Sequence, residues 1–209
     1  MLTFKAQAAD SPAAGQATPQ LPSWTFDSDR SEANFRARLM GAMWLNGRFQ
    51  DVRGKLYLDH EDPVASSCFG EIDPTKLYAG EPRFNTLVRT ADFLDVEDHP
   101  RITFAGRPTE RIGENDFRAE VHLTLRGATH MLLMDVAYVG PWNAPIGGSG
   151  ESRGIATRVG LKADGLITRE DIGALDRLAD GRTIVAEAIK ISLNIEAILD
   201  ADLERIEAT

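Results

Sequence analysis

The chain has 209 residues and a formal net charge of −9, from 32 acidic and 23 basic residues. With 43% hydrophobic residues, this length suffices for one domain with a substantial core. The acidic balance argues against a nucleic-acid partner or an anionic membrane surface, because either would repel the molecule as a whole. A single cysteine, Cys68, excludes an intramolecular disulfide and a cysteine-rich metal cluster.

Residues 1–21 are rich in Ala, Gln, Pro and Ser, and we expect a flexible tail there. Ala6-Gln7-Ala8 has the small-x-small form of a signal-peptidase site, although such a tripeptide arises easily in an Ala-rich tail. We expect a cytoplasmic protein; export to the periplasm is the alternative if a leader has been truncated. No apolar run approaches the roughly 18 residues of a transmembrane helix, so we do not expect an integral membrane protein.

From Ser23 onward, apolar residues recur two apart between turn residues, which indicates β-strands. The alternating runs are Ala33/Phe35/Ala37/Leu39, Leu56/Leu58, Cys68/Gly70/Ile72, Ile102/Phe104, Phe117/Ala119/Val121/Leu123/Leu125, Leu132/Met134/Val136/Tyr138, Ile155/Thr157/Val159/Leu161 and Ile189/Ile191/Leu193/Ile195. About eight strands at regular spacing favour a closed antiparallel barrel or a sandwich.

Three segments depart from the strand pattern. Residues 75–99 are predicted to be helical or irregular, and Pro100 cannot continue a helix, so helix should give way to strand at His99-Pro100. Residues 166–181 are predicted to form a loop with a short helix. Residues 201–209 are predicted to be a short acidic tail or helix.

The size of the barrel decides what its interior can do, because about eight strands enclose a space that is either filled or open to one small ligand. Several predicted inward positions are small, which favours an open apolar cavity. These positions are Ala33, Ala37, Gly47, Gly70, Ala119, Ala186 and Ala188. The alternative is that they are close-packing positions.

The sequence contains no recognisable catalytic constellation. Gly147-Gly148-Ser149-Gly150 does not match a nucleophile elbow, and there is no phosphate-binding or dinucleotide-binding loop. Cys68 follows two serines in a strand and is predicted to be a packed thiol. Asp27 and Asp29 are interpreted as solvated turn residues. We therefore predict no catalytic residue and no cofactor.

The four histidines lack the i, i+4 spacing of a helical zinc pair. His122 and His130 flank a predicted turn and could face each other across a hairpin. Two histidines alone lack the ligands of a metal site, so no metal is predicted.

Five motifs occur in series along the chain. Residues 89–104, RTADFLDVEDHPRITF, are closely similar to the segment R-S-x-D-F-F-D-V-x-x-x-P-x-I-T-F of the YceI-like family of lipid-binding proteins. Weaker likenesses to the family lie at residues 24–35, 45–54, 123–129 and 168–173. Together they resemble that family over nearly all of residues 24–199.

The resemblance implies an eight-stranded antiparallel, lipocalin-like β-barrel with a helix over one end, here residues 22–200, often dimeric. It also implies non-enzymatic binding, storage or transport of a long isoprenoid lipid, a polyprenyl phosphate or isoprenoid quinone, in the lumen. Two alternatives stay open: a hydrolase or other enzyme acting on an amphiphilic lipid, and a ligand-free structural or partner-binding barrel.

One segment departs from the family pattern R-D-x-H-L-R-S. The Arg, Asp and His become Phe84, Asn85 and Leu87, and Arg89 is the only charged member kept. We expect Arg89 near an anionic or quinone head group, at a mouth more apolar than is usual. The complete set of expected ligand-binding residues is Phe35, Leu39, Phe49, Arg89, Phe93, Phe104, Val121, Leu123 and Leu125.

Overall fold

The computed structural model describes residues 21–147, 154–173 and 185–208. The strands are β1 Ser23–Phe26, β2 Glu32–Leu39, β3 Met43–Gln50, β4 Val52–Tyr57, β5 Ser67–Ile72, β6 Leu77–Tyr78, β7 Ile102–Arg111, β8 Asp116–Leu125, β9 Ala128–Ile146, β10 Gly154–Thr168 and β11 Ala188–Leu199. The helices are α1 Pro82–Arg89 and α2 Asp200–Glu207, with short 3-10 turns at Pro63–Ala65 and Pro74–Lys76. Neither described helix has the length and apolar composition needed to cross a bilayer.

The strands form one closed antiparallel barrel. Strands β1, β4, β5, β7, β8, β9, β10 and β11 pair in that order, and β1 pairs with β11 to close the ring. Strands β1 and β2 lie one after the other along β11 and pair with it in turn. Strand β3 continues directly into β4 through Asp51, whose φ is 63°. Each of these two pairs is therefore one bent strand, and the predicted eight-stranded lipocalin-like barrel is confirmed.

The β8–β9 hairpin follows directly from its turn residues. Arg126 and Gly127 both have positive φ, 49° and 73°, and Leu125 pairs with Ala128. A two-residue turn with positive φ at both positions matches the right-handed twist of the flanking strands. The hairpin predicted at this point is confirmed.

Two of the small residues are close-packing positions. A Cβ atom on Gly47 would lie 2.0 Å from the ring of Phe35, and one on Gly70 would lie 2.6 Å from the ring of Phe104. Glycine lets each ring lie against the neighbouring strand. Ala33 instead borders an internal cavity. Some of the small residues are therefore close-packing positions, and others leave space for a cavity.

The helix over the barrel is shorter than the sequence suggested. Helix α1 ends at Arg89, ten residues before His99, and hydrogen bonds from Leu94 N to Val88 O and from Val96 N to Arg89 O form turns instead. The predicted boundary at His99-Pro100 was wrong, because these turns bury apolar side chains without helical periodicity.

The remaining predicted segments have mixed outcomes. Strand β10 continues to Thr168 and turns follow to residue 173, so the beginning of the predicted 166–181 loop belongs to the barrel. At the C-terminus the chain is helical in α2, where the prediction left tail or helix open. Residues 1–20 of the predicted tail 1–21, the Gly-Ser loop beyond residue 147, and residues 174–181 of the predicted loop with a short helix lie outside the described residues.

Candidate functional site

Two cavities adjoin inside the barrel. Cavity 1, about 140 Å³, lies at the end covered by α1, and cavity 2, about 240 Å³, lies towards residues 58–67 and the β7–β8 turn. Four side chains border both cavities and separate them; we call this layer the waist. It consists of Phe104, Val121, Met134 and Leu193.

The waist is narrow because large side chains lie over glycines. Phe104 stacks on Phe26 of β1, with ring centroids 6.3 Å apart and planes within 9° of parallel. Gly70 lies beneath Phe104, and a Cβ atom on Gly165 would lie 2.9 Å from Met134. This packing narrows the interior between the two cavities.

Cavity 1 is almost wholly apolar. Asn34 and Ser192 are the polar residues among those that border it in the described chain. Eight of the nine expected ligand-binding residues border this cavity: Phe35, Leu39, Phe49, Phe93, Phe104, Val121, Leu123 and Leu125. Strand alternation therefore identified the inner face, while a role for these residues in binding stays a prediction.

Arg89 lies elsewhere, contrary to the expectation. Its guanidinium donates hydrogen bonds to the carbonyl oxygens of Thr75 and Leu77, the second at 3.3 Å, and it does not border either cavity. Val88, one residue earlier, faces cavity 1. Successive helical residues diverge by about 100°, so Arg89 points away from the lumen and fastens α1 to the preceding segment.

The altered positions in α1 also hold the helix in place. Asn85 accepts a hydrogen bond from the backbone N–H of Ala79 at 2.6 Å, and Phe84 and Leu87 pack against the core. At this end of the barrel, side chains of α1 fix the helix through hydrogen bonds to backbone groups and through apolar contact. Among the described residues, it does not present a cluster of charges to the cavity.

A second arginine fastens the segment after α1. Arg126 donates hydrogen bonds to the carbonyl oxygens of Ala91 at 2.8 Å and Phe93 at 2.6 Å. Phe93 is buried beneath these bonds and borders cavity 1. The β8–β9 turn thus holds the cover of cavity 1 in position.

An acidic side chain and a histidine meet at the same end of the barrel. Asp171 accepts hydrogen bonds from the Thr168 hydroxyl at 2.6 Å and from the Thr168 backbone N–H at 2.9 Å, and its Oδ1 lies 3.3 Å from His130 Nδ1. The bonds from Thr168, with a smaller contribution from His130, hold the pKa of Asp171 below its usual range. The Asp171 carboxylate therefore stabilises the turn that follows β10.

Cavity 2 differs from cavity 1 in having a polar mouth. The polar residues that border it include Asp59, His60, Glu61, Arg107, Arg111 and Glu114. Deeper inside, the hydroxyl of Tyr138 is buried and makes no hydrogen bond within the described chain, and burial raises its pKa. This hydroxyl is available to a ligand.

Cys68 borders cavity 2 as a protonated thiol. Burial raises the pKa of Cys68 to about 11, against an opposing backbone hydrogen bond from Gly106. Since the thiolate is the reactive form, the side chain is a poor nucleophile at neutral pH. Its place in the barrel wall agrees with the packed thiol expected from the sequence.

One buried ionic cluster was missed by sequence reasoning. Arg158 is 1% exposed and donates hydrogen bonds to Asp27, at 2.7 Å, to Glu196 and to the carbonyl oxygen of Pro145. Asp27 was interpreted as a solvated turn residue, and that was wrong, because its carboxylate is mostly buried against Arg158, 131 residues away in the chain. The charged residue within the alternating run of β10 was the available signal.

The histidines do not converge. His130 pairs with Leu123 and lies on the inner face of the barrel, whereas His122 pairs with Met131 on the outer face. Within the described residues, no group of three or more His, Cys, Asp or Glu side chains is placed to hold a metal ion.

The comparisons with known proteins agree with the barrel geometry. The sequence model of the YceI-like domain matches residues 24–197, most of the chain. The chain belongs to the YceI-like family. Among its relatives, a UPF0312 protein of Enterobacter sp. (strain 638) is 27% identical over 165 residues, which cover 79% of each chain.

Solved structures share the YceI-like fold. BcnA of Burkholderia cenocepacia matches with a TM-score of 0.67 and 17% identity, over 82% of this chain and 98% of that one. A polyisoprenoid binding domain from Saccharophagus degradans matches with a TM-score of 0.58 and 14% identity, over 85% of this chain and 99% of that one.

Proposed function

We propose that this YceI-like protein binds a long isoprenoid lipid, a polyprenyl phosphate or an isoprenoid quinone, in the barrel lumen and stores or transports it unchanged. The observation that carries the proposal is the pair of adjoining cavities, of which cavity 1 is almost entirely apolar. The shared fold of a polyisoprenoid binding domain supports the ligand class.

The energetics favour a chain-like ligand. Each buried methylene contributes about 0.8 kcal/mol, so a chain of about twenty carbons has ample gross affinity before the ordering of the chain is subtracted. An apolar cavity of about 150 Å³ holds one benzene molecule. Cavity 1 is of that size, so a chain of several isoprene units needs both cavities, and Phe104 or Met134 must rotate to admit it.

The polar mouth of cavity 2 is our proposed location for the head group. The buried hydroxyl of Tyr138 can donate a hydrogen bond to a quinone or phosphate oxygen there. Arg111 borders the same mouth, and its remaining N–H groups can meet an anionic head although it also donates to the carbonyl oxygens of Gly113 and Glu114. This replaces the expected head group position near Arg89, whose guanidinium is bound to backbone carbonyls.

Binding without chemistry is the second part of the proposal. Cavity 1 offers no titratable side chain to a substrate in the described chain, and the Cys68 thiol is protonated. If the barrel were a hydrolase, a screen with ester and amide lipids would reveal turnover, abolished by one polar-to-Ala change in the lumen. We expect no turnover.

Assembly and location complete the proposal. We propose a homodimer, which analytical ultracentrifugation at several concentrations tests. We propose a cytoplasmic location, with the periplasm as the alternative, which fractionation of the native host tests.

Native mass spectrometry followed by organic extraction tests the ligand. We expect a mass above that of the polypeptide, and an extract containing polyprenyl or quinone lipid. A mass equal to that of the polypeptide, with no uptake after incubation with polyprenyl compounds, would refute the proposal and favour a ligand-free barrel.

A further inference from the structure

The turn between β2 and β3 exposes apolar side chains beside cavity 1. Met40, Met43 and Trp44 are 53%, 40% and 46% exposed; we call residues 40–44 the tip. Leu39 and Leu45, which flank the tip on the two strands, are buried and border cavity 1. The tip therefore projects from the α1 end of the lumen.

Further aromatic side chains lie next to the tip. A surface groove between β3 and the start of α1 is bordered by Trp44, Tyr78 and Phe84, and Tyr78 is 55% exposed. Tryptophan and tyrosine combine an apolar ring with a polar group, and they are enriched where lipid tails meet water.

A positive surface lies directly behind the tip. The guanidinium carbons of Arg36 and Arg38 lie 4.1 Å and 5.9 Å from the centre of the Trp44 ring. Lys190 on β11 pairs in register with Arg36. Among the described residues, none of these three cations forms an ion pair with a carboxylate.

This local charge changes what the net charge implied. At physiological ionic strength, charges are screened beyond about 8 Å. Arg36 and Arg38 lie within that distance of the Trp44 ring, and Glu81, which borders the same groove, is ion-paired with Arg83 at 2.8 Å. The expected repulsion from an anionic membrane holds for the molecule as a whole and not for this corner.

We propose that the tip docks on a phospholipid bilayer. Met40, Met43 and Trp44 enter the boundary between head groups and acyl chains, and Arg36, Arg38 and Lys190 contact lipid phosphates. Docking brings the cavity 1 end of the barrel to the membrane. The inference goes beyond lipid binding in the lumen, because it identifies a surface of the protein and its partner.

Other exposed apolar side chains fit a bilayer less well. Val64, 42% exposed, lies in the short turn Pro63–Ala65 beside cavity 2, at the end of the barrel away from the tip. Glu61 and Asp62 precede this turn, and Val139 on β9 is 60% exposed. Val64 and Val139 are therefore exposed apolar positions for a matched control outside the proposed docking surface.

Flotation of the full-length chain with vesicles tests the proposal. We expect binding to phosphatidylcholine vesicles that contain phosphatidylglycerol, weakened by salt. Substituting Met40→Ser, Met43→Ser and Trp44→Ala together should weaken binding by about tenfold or more. Arg36→Ser with Arg38→Ser should weaken it about thirtyfold, while Val64→Ser with Val139→Ser should leave it unchanged.

Three outcomes would overturn docking. In the first, the wild-type chain does not float with the vesicles that contain phosphatidylglycerol. In the second, the control variant loses as much binding as the tip variants. In the third, the tip variants turn a dimer into a monomer and the wild-type dimer does not bind vesicles. The last result would identify the tip as a contact between two copies.

Native mass spectrometry of the same variants keeps docking apart from binding in the lumen. We expect the tip variants to retain lumen lipid, with unchanged unfolding midpoints, while vesicle binding falls. If no variant holds lipid but vesicle binding still depends on the tip, docking stands and the proposed lumen ligand fails.

Discussion

Phe26 of β1 and Phe104 of β7 stack over the two strands β4 and β5 that lie between them, with nearly parallel rings at a centroid separation of 6.3 Å. Phe26 belongs to the strand that closes the barrel on β11, and Phe104 belongs to the waist. The pair therefore joins the closure of the barrel to the division of its interior. A ligand that extends through both cavities must displace one member of this pair or the facing Met134.

Substituting Phe104→Ala should join the two cavities. We expect a loss of about 3–5 kcal/mol in the free energy of unfolding, because a large buried ring is removed. Uptake of long polyprenols should become faster, since the waist no longer has to rotate. Denaturant unfolding and the time course of polyprenol uptake measure the two effects.

Phe69→Ala is the matched control for Phe104→Ala. Phe69 lies on the neighbouring strand β5, is 49% exposed, and stacks on Tyr57 outside the lumen. It should change stability little and uptake not at all. Equal uptake by the wild type and Phe104→Ala would show that the waist does not limit entry.

Gly70→Ala should destabilise the barrel by about 1–3 kcal/mol through overpacking. The added Cβ atom would lie 2.6 Å from the Phe104 ring and 2.6 Å from the carbonyl oxygen of Arg53. Gly106→Ala serves as the comparison, because the nearest atom there, on Val121, is 3.1 Å away. A lower thermal unfolding midpoint for Gly106→Ala than for Gly70→Ala would contradict close packing of Phe104 over Gly70.

Arg158→Ala should be strongly destabilising. It leaves the carboxylates of Asp27 and Glu196 without their buried partner, and breaking a buried pair costs about 3–5 kcal/mol. Arg30→Ala removes an exposed partner of Glu196 and should cost at most about 1 kcal/mol. Chemical unfolding of both variants measures the difference; similar losses would contradict a central role for Arg158.

Cys68 should make stability depend on pH in the alkaline range. Its pKa is about 11 in the folded chain against an ordinary value of 9.0. The folded state disfavours the thiolate, whereas the unfolded chain ionises near pH 9. The free energy of unfolding is therefore undiminished below pH 9 and falls as the pH rises towards 11. A fall in the unfolding midpoint over that range should be smaller in Cys68→Ala.

The same thiol should react slowly with alkylating reagents. At neutral pH the folded protein holds almost no thiolate, so labelling of Cys68 should be much slower than in the denatured chain. Rapid labelling of the native protein near neutral pH, followed by mass spectrometry, would contradict the buried thiol.

Alternation along the strands was enough to predict the barrel and most of its lining. Positions such as Val121, Leu123 and Leu125 share one face of β8 whatever the rest of the chain does, because successive strand side chains point to opposite sides. The turn residues Arg126 and Gly127 likewise specify their hairpin locally. The segment at residues 89–104 identified the family in the same way, through residues close together in the chain.

Only the tertiary structure decided where the charged side chains lie and how the interior is divided. Arg89 turns from the lumen because of how α1 sits on the barrel, and Arg158 is neutralised by Asp27 from the opposite end of the chain. The waist depends on Phe26 meeting Phe104 over glycines of other strands. These contacts join residues that are far apart in the chain, so a local sequence pattern cannot predict them. The sequence by itself therefore determined the barrel and its apolar inner face, and packing decided the two chambers and their polar surroundings.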